Sequence, residues 1–138
     1  IIDRNAAIAT HIGKDEDLFH MIVCDEYPSM EEFAKKNREK ADLPYDTSVH
    51  SGSKSREGVL NFSCIPWISY TSFIRTFVRF GKDCNPKMTF GKYKKENGHV
   101  LLPFSVQTHH GLMDGLHVGK LFQDIQEMIE GEIWKNCT

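Results

Sequence analysis

Phe104-Ser105-Val106-Gln107-Thr108-His109-His110-Gly111-Leu112-Met113-Asp114-Gly115-Leu116-His117-Val118 passes from one structural period to another. Up to the histidines, Val100, Leu102, Phe104 and Val106 alternate with a second set that includes Ser105, Gln107 and His109. This is the two-residue period of a strand with one buried face. After them, Val118, Leu121, Phe122, Ile125, Met128 and Ile129 form one stripe at the helical period, which predicts a helix over 116–129. The paired histidines, Asp114 and Gly115 thus sit at a strand-to-helix junction, where rigid elements hold a side chain at the edge of a cleft. Histidine titrates near neutrality and is suited to take a proton from an alcohol or thiol. Strand parity points the two rings to opposite sides, so that His110, the candidate base, faces the cleft while His109 packs. Asp114 is read as organising the turn rather than acting directly, with Gly115 freeing the backbone there.

Working outward, Asn97-Gly98 is a type I′ hairpin signal, and before it Met88, Phe90 and Lys92 alternate with Thr89 and Gly91. Val59 to Ile65 reads as a strand ended by Pro66-Trp67. Tyr70 to Phe80 is rich in β-branched and aromatic residues and is expected to be a further strand with a bulge. Leu18 to Val23 reads as a short buried strand. Ser29-Met30-Glu31-Glu32 has the form of a capping box and predicts a helix from about Met30 to Lys40, with Met30, Phe33 and Ala34 on one side. Residues 44–58 are rich in Ser, Gly, Asp and Lys and read as a surface loop. Residues 1–12 show no clear period. Strands and helices alternate, so the class is α/β, and residues 1–138 are expected to form a single domain.

Composition narrows the function. The 138 residues suffice for one domain with a core. A formal net charge of −2 gives no ground for nucleic acid or an anionic membrane as partner. No apolar run approaches the roughly 18 residues that span a bilayer, and no secretory signal is visible. Cys24, Cys64, Cys84 and Cys137 have no CxxC spacing, and reduced thiols in a cytoplasmic protein are expected. No Cys or His pair has zinc-finger spacing, so no metal is expected.

Three segments add to the histidine motif. They are Asn61-Phe62-Ser63-Cys64-Ile65-Pro66-Trp67, Thr89-Phe90-Gly91-Lys92-Tyr93, and Leu102-Pro103-Phe104-Ser105-Val106-Gln107 leading into His109-His110 and then Asp114-Gly115-Leu116-His117-Val118. They resemble, in order and spacing, the N-x-S-x-x-P-W, T-x-G-K-Y, L-P-L-S-V-Q, HHxxxDG and D-G-x-H-V segments of the chloramphenicol acetyltransferase family. A weaker similarity reaches upstream to Phe19 and the Ser29 to Phe33 segment. The resemblance covers nearly the whole chain and corresponds to about the C-terminal two thirds of a family member, without the first third.

The resemblance implies a two-layer mixed sheet with helices, of the CoA-dependent acyltransferase type. It implies a cytoplasmic bacterial homotrimer that uses acetyl-CoA as co-substrate and inactivates chloramphenicol by acetylating a hydroxyl, with sites at subunit interfaces. His110 would be the general base, Ser63 would donate to the tetrahedral oxyanion, and Thr89 would hold a water beside it. Asp114 would fix the histidine loop, in the family through an N-terminal arginine for which this chain shows no counterpart. Trp67, Lys92 and Tyr93 match positions along the CoA channel, and Phe19 and Phe73 match apolar positions around the acceptor. Read singly, Trp67, Phe19 and Phe73 are core residues, Lys92 a solvated face and Ser63 a satisfied hydroxyl. Only their joint placement around His110 gives them chemistry.

Where the family commonly places apolar residues in the acceptor pocket, this chain has His50, Arg75 and Lys87. A buried cation is costly unless paired, so these residues point away from chloramphenicol toward another hydroxylated acceptor more than they point away from acetyl transfer. Two other readings compete. One is a dihydrolipoamide acyltransferase core, which shares HxxxDG and uses a thiol acceptor. The other is a trimeric binding remnant without turnover.

Overall fold

The computed structural model describes residues 6–12, 19–24, 27–42, 59–75 and 84–131. They form strands β1 (Ala6–Ile12), β2 (Phe19–Cys24), β3 (Val59–Ile65), β4 (Lys87–Gly91), β5 (Lys94–Glu96), β6 (His99–Leu101) and β7 (Phe104–Gln107), with helices α1 (Met30–Ala41) and α2 (Gly115–Glu130). A five-stranded sheet has the order β2-β1-β3-β4-β7. Its centre is parallel, β1 with β3 and β3 with β4, and both edges are antiparallel. This is the mixed sheet with helices that the sequence implies.

The sheet has two unlike faces because its registers align like with like. Phe90 is the direct partner of Phe104, and Met88 lies opposite Phe62 and Val106. The rings of Phe62, Phe90 and Phe104 stack at 6.4 and 4.7 Å, and Phe122 of α2 meets Phe104 at 5.3 Å. Through Phe122 the helix touches this apolar face at Phe104. The opposite face carries Asn61, Ser63 and Ile65 beside Lys87, Thr89 and Gly91, with Ser105 and Gln107 at the edge.

Among the described residues the core is small. Cys24, Val59 and Met88 are buried, while Trp67, Ile74, Tyr93, Leu112 and Leu116 are exposed. The α2 stripe is only partly covered: Val118, Leu121 and Ile125 are half-buried, and Met128 and Ile129 are exposed. In α1, Ser29 caps the helix by accepting from the Glu32 N–H at 3.1 Å, and Phe33 packs edge-on against Tyr27. Lys40 near its end donates to the Val23 carbonyl of β2.

Several expectations need correction. The return strand from Val100 to Val106 is two strands in two sheets, because Pro103 has no N–H to give a ladder. Its carbonyl instead accepts from the Gly91 N–H at 2.9 Å. Thus β5 and β6 pair only with each other across Asn97-Gly98, whose φ angles of 51° and 81° suit the I′ turn. Residues 70–75 are not a strand. They run over the polar face, where side chains rather than a ladder hold them: Ser105 Oγ donates to the Phe73 carbonyl and Gln107 Nε2 to the Arg75 carbonyl. Within the Leu18–Val23 segment, read as a buried strand, the described residues belong to edge strand β2 with Phe19 and Val23 exposed, and Leu18 lies outside the described residues. Ala6–Ile12, within the stretch read without a period, forms β1. The 44–58 loop and the 76–80 end of the Tyr70 segment lie outside the described residues.

Candidate active site

The central strands set one hydroxyl beside another. Ser63 of β3 is the direct partner of Thr89 of β4, and Thr89 is the direct partner of Ser105 of β7. The three share a row on the polar face. Thr89 is 1% exposed, the most buried side chain among the described residues, whereas Ser63 is half-buried. Tyr70 lies over this row, its hydroxyl donating to the Thr89 carbonyl. Burial raises the Tyr70 pKa, the neighbouring Cys64 raises it further, and a backbone bond from Ser105 pulls it down. Gly91 makes room for that ring, since a Cβ there would lie 2.7 Å from Tyr70 Cε1 and 2.9 Å from the Ile68 carbonyl.

At the C-terminal ends of β3 and β4 the chain folds over itself. The Ile68 N–H donates to Ile65, and the Lys92 N–H donates to Ile68 at 2.7 Å. This brings together Trp67, Lys92 and Tyr93, all exposed, at one end of the sheet. Phe19, also exposed, is paired with Ile12, three residues beyond the Ala9–Phe62 pair and so at the same end. Phe73 is half-buried against Tyr70, at 5.4 Å between rings.

The histidines lie at the other end. Strand β7 runs against β4, and its last residue, Gln107, faces Lys87, the first of β4. Beyond it the strand has ended, so parity is not what separates the two rings. His109 is half-buried and its Nδ1 accepts from the Gly111 N–H at 3.2 Å, while its carbonyl accepts from Leu112 and Met113. His110 is exposed in the turn and has no partner among the described residues. The length of β4 alone, about 13 Å, separates the histidine end from the Trp67–Lys92 end.

Asp114 caps α2. Its Oδ1 accepts from the Leu116 and His117 N–H groups and lies 2.7 Å from His117 Nδ1. The His117 backbone N–H, and then its ring, hold the Asp114 carboxyl below the usual carboxylate range. The aspartate thus ties the start of α2 to the turn that precedes it. Gly115 does not do so through a special backbone angle: it is the first residue of the helix, and only Asn97 and Gly98 have positive φ among the described residues.

Arg75 and Lys87 are both half-buried on the polar face, and His50 lies outside the described residues. Three residues of this region had no role from the sequence: Tyr70, Gln107 and His117. The signal for Tyr70 was a glycine inside strand β4, which marks close approach. For His117 it was its place three residues after a helix cap. Among the described residues no three His, Cys, Asp or Glu side chains form a metal-binding group, and no helix is long and apolar enough to cross a membrane.

The family model for chloramphenicol acetyltransferase matches residues 1–126. Chloramphenicol acetyltransferase 2 of Escherichia coli is 30% identical over 129 residues, which are 93% of this chain and 61% of that protein. Chloramphenicol acetyltransferase 3 of Escherichia coli is 34% identical over 88 residues, 64% of this chain and 41% of that one. The chain thus spans about three fifths of the length of the first of these curated relatives. A solved chloramphenicol acetyltransferase shares the fold with a TM-score of 0.76 at 20% identity, covering 92% of this chain and 62% of its own. A dihydrolipoamide acetyltransferase of Azotobacter vinelandii follows at 0.61 and 16%, covering 91% of this chain and 54% of its own.

Proposed function

Because the chain belongs to the chloramphenicol acetyltransferase family, we propose that it transfers acetyl from acetyl-CoA to the hydroxyl of a small acceptor, with His110 as general base. Chloramphenicol is the first acceptor to test, and the setting is a cytoplasmic homotrimer without a metal. The observation that carries this reading is the direct pairing of Ser63 with Thr89 on the central parallel strands.

In the reaction, His110 accepts the acceptor's hydroxyl proton as that oxygen attacks the thioester carbonyl. The C–O bond forms and the carbonyl oxygen takes the negative charge. The Ser63 hydroxyl donates to this oxyanion, a bond that strengthens only as charge develops. Thr89, almost wholly covered, acts from beneath by holding a water rather than by touching the acceptor. Collapse of the intermediate breaks the C–S bond, and the CoA thiolate recovers the proton from the His110 imidazolium. Trp67, Lys92 and Tyr93 line the approach of CoA, and Phe19 and Phe73 flank the acceptor.

The separation of His110 from the Trp67–Lys92 end within one chain supports a site completed by a second copy. There, His110 of one protomer reaches the Ser63 row of its partner. The exposed apolar side chains of the single chain are consistent with such an assembly. The test is thiol release from acetyl-CoA by the longest native form of the protein, with and without chloramphenicol or other alcohols. Acceptor-dependent release that disappears in His110→Ala is expected; release that persists in that variant would overturn the assignment of the base.

A further inference from the structure

Next to the Ser63–Thr89–Ser105 row the registers build a second polar row. Lys87 lies directly between Asn61 of β3 and Gln107 of β7, two residues, or about 7 Å, along the strands. The Gln107 amide donates to the Arg75 carbonyl and so draws Arg75 over this row. Two atoms there are buried without a hydrogen-bond partner: Arg75 Nη1, a cationic donor, and Gln107 Oε1, an acceptor. Flipping the Gln107 amide does not remove the mismatch, because its oxygen would then face the Arg75 carbonyl. Lys87, half-buried, places its Nζ by the Asn85 carbonyl and adds a second positive charge.

A charged N–H buried without an acceptor is strongly unfavourable, and a carboxylate is the acceptor that fits a guanidinium best. The neighbouring unpaired carbonyl oxygen calls for a donor from the same molecule. From these two unsatisfied groups of opposite character beside the Ser63 row we infer that Arg75, Lys87 and Gln107 form a subsite for a carboxylate-bearing alcohol. Its carboxylate meets Arg75, an amide or hydroxyl N–H or O–H meets Gln107 Oε1, and its reacting hydroxyl lies toward Ser63. The inference rests on the acetyl-transfer reading and narrows its acceptor from the neutral antibiotic to an anionic alcohol.

The test uses a matched pair that differs in one charge, N-benzoylserine and its methyl ester, with the longest native form of the protein. Calorimetric binding and kcat/KM are both measured, so that charge preference is read even where no acetyl is transferred. The acid should be favoured by about ten- to hundredfold, the worth of a hydrogen bond to a charged group. Arg75→Met should erase that ratio and Arg75→Lys should retain part of it, with folding of both checked by circular dichroism. Equal binding of acid and ester, tighter binding of the ester, or no binding of either by the native protein overturns the subsite. A carboxylate of a second copy already seated on Arg75 would produce the first of these results. Binding preference without turnover would keep the subsite and overturn the acetyl-transfer reading.

Discussion

Ser63 stands directly opposite Thr89 across the parallel pair β3–β4, and the two differ sharply in access: Ser63 is half-buried, while Thr89 is covered. The hydroxyl that can meet a reacting carbonyl is therefore that of Ser63. Ser63→Ala should lower kcat about 100- to 1,000-fold, the usual loss of one oxyanion donor. The substrate KM and the melting temperature should change little. A loss confined to KM would assign Ser63 to ground-state binding instead.

His110 is exposed and has no described partner, so His110→Ala should leave folding intact, and under the proposed general-base role it should cost about 100- to 10,000-fold in rate. The position of His110, at the end of the sheet away from Trp67 and Lys92, adds a sharper expectation. Co-expressing His110→Ala with Ser63→Ala should restore activity that neither variant has alone. In a cyclic assembly with random mixing, about a quarter of the sites pair an intact histidine with an intact serine. A mixture as inactive as its parents would place both groups of each site within one chain.

Gly91 carries a demand set by packing rather than by backbone angle. Its missing Cβ would lie 2.7 Å from the Tyr70 ring and 2.9 Å from a backbone carbonyl. Gly91→Ala should destabilise by about 1–3 kcal/mol, the typical cost of overpacking, measured by urea unfolding. Tyr70→Phe on its own loses only the hydroxyl bond to the Thr89 carbonyl. It does not relieve the clash, so Gly91→Ala combined with Tyr70→Ala should recover part of the Gly91→Ala loss. An additive double variant would show that the ring is not what the glycine accommodates.

The elements whose side chains alternate or repeat with one burial pattern were legible. β3 is bounded as read, α2 within a residue at each end, and the Ser29 cap and the Asn97-Gly98 turn were visible because their chemistry is local. What escaped depends on partners distant in sequence. The break at Pro103 is visible as a residue, but its assignment of β6 and β7 to different sheets depends on Gly91, whose N–H takes the Pro103 carbonyl. Residues 70–75 have strand-like composition, yet Ser105 and Gln107 hold them across a face where no ladder forms. For the proposed site, the sequence supplies residue types and their order but not their placement. The placement of the histidine turn at one end and the Trp67 turn at the other follows only from β7 running against β4.

Asp114 offers a pH-dependent expectation. In the folded chain its pKa is depressed, first by the His117 backbone N–H and then by the His117 ring. A carboxyl with a lowered folded pKa stabilises the fold above its ordinary unfolded value, and that contribution is lost as pH falls through the folded value. The helicity and melting temperature of the protein should therefore fall on acidification from about pH 5 to pH 2 in part through this cap. Asp114→Asn keeps a good capping residue without a titrating charge, so the difference between native and variant should shrink toward low pH. Asp114→Ala should lose the cap at every pH and let the His110 turn drift, with a fall in kcat of up to about 100-fold. A native-minus-Asn difference that is flat across that range would show that the Asp114 charge, as distinct from its capping oxygen, does not hold the turn.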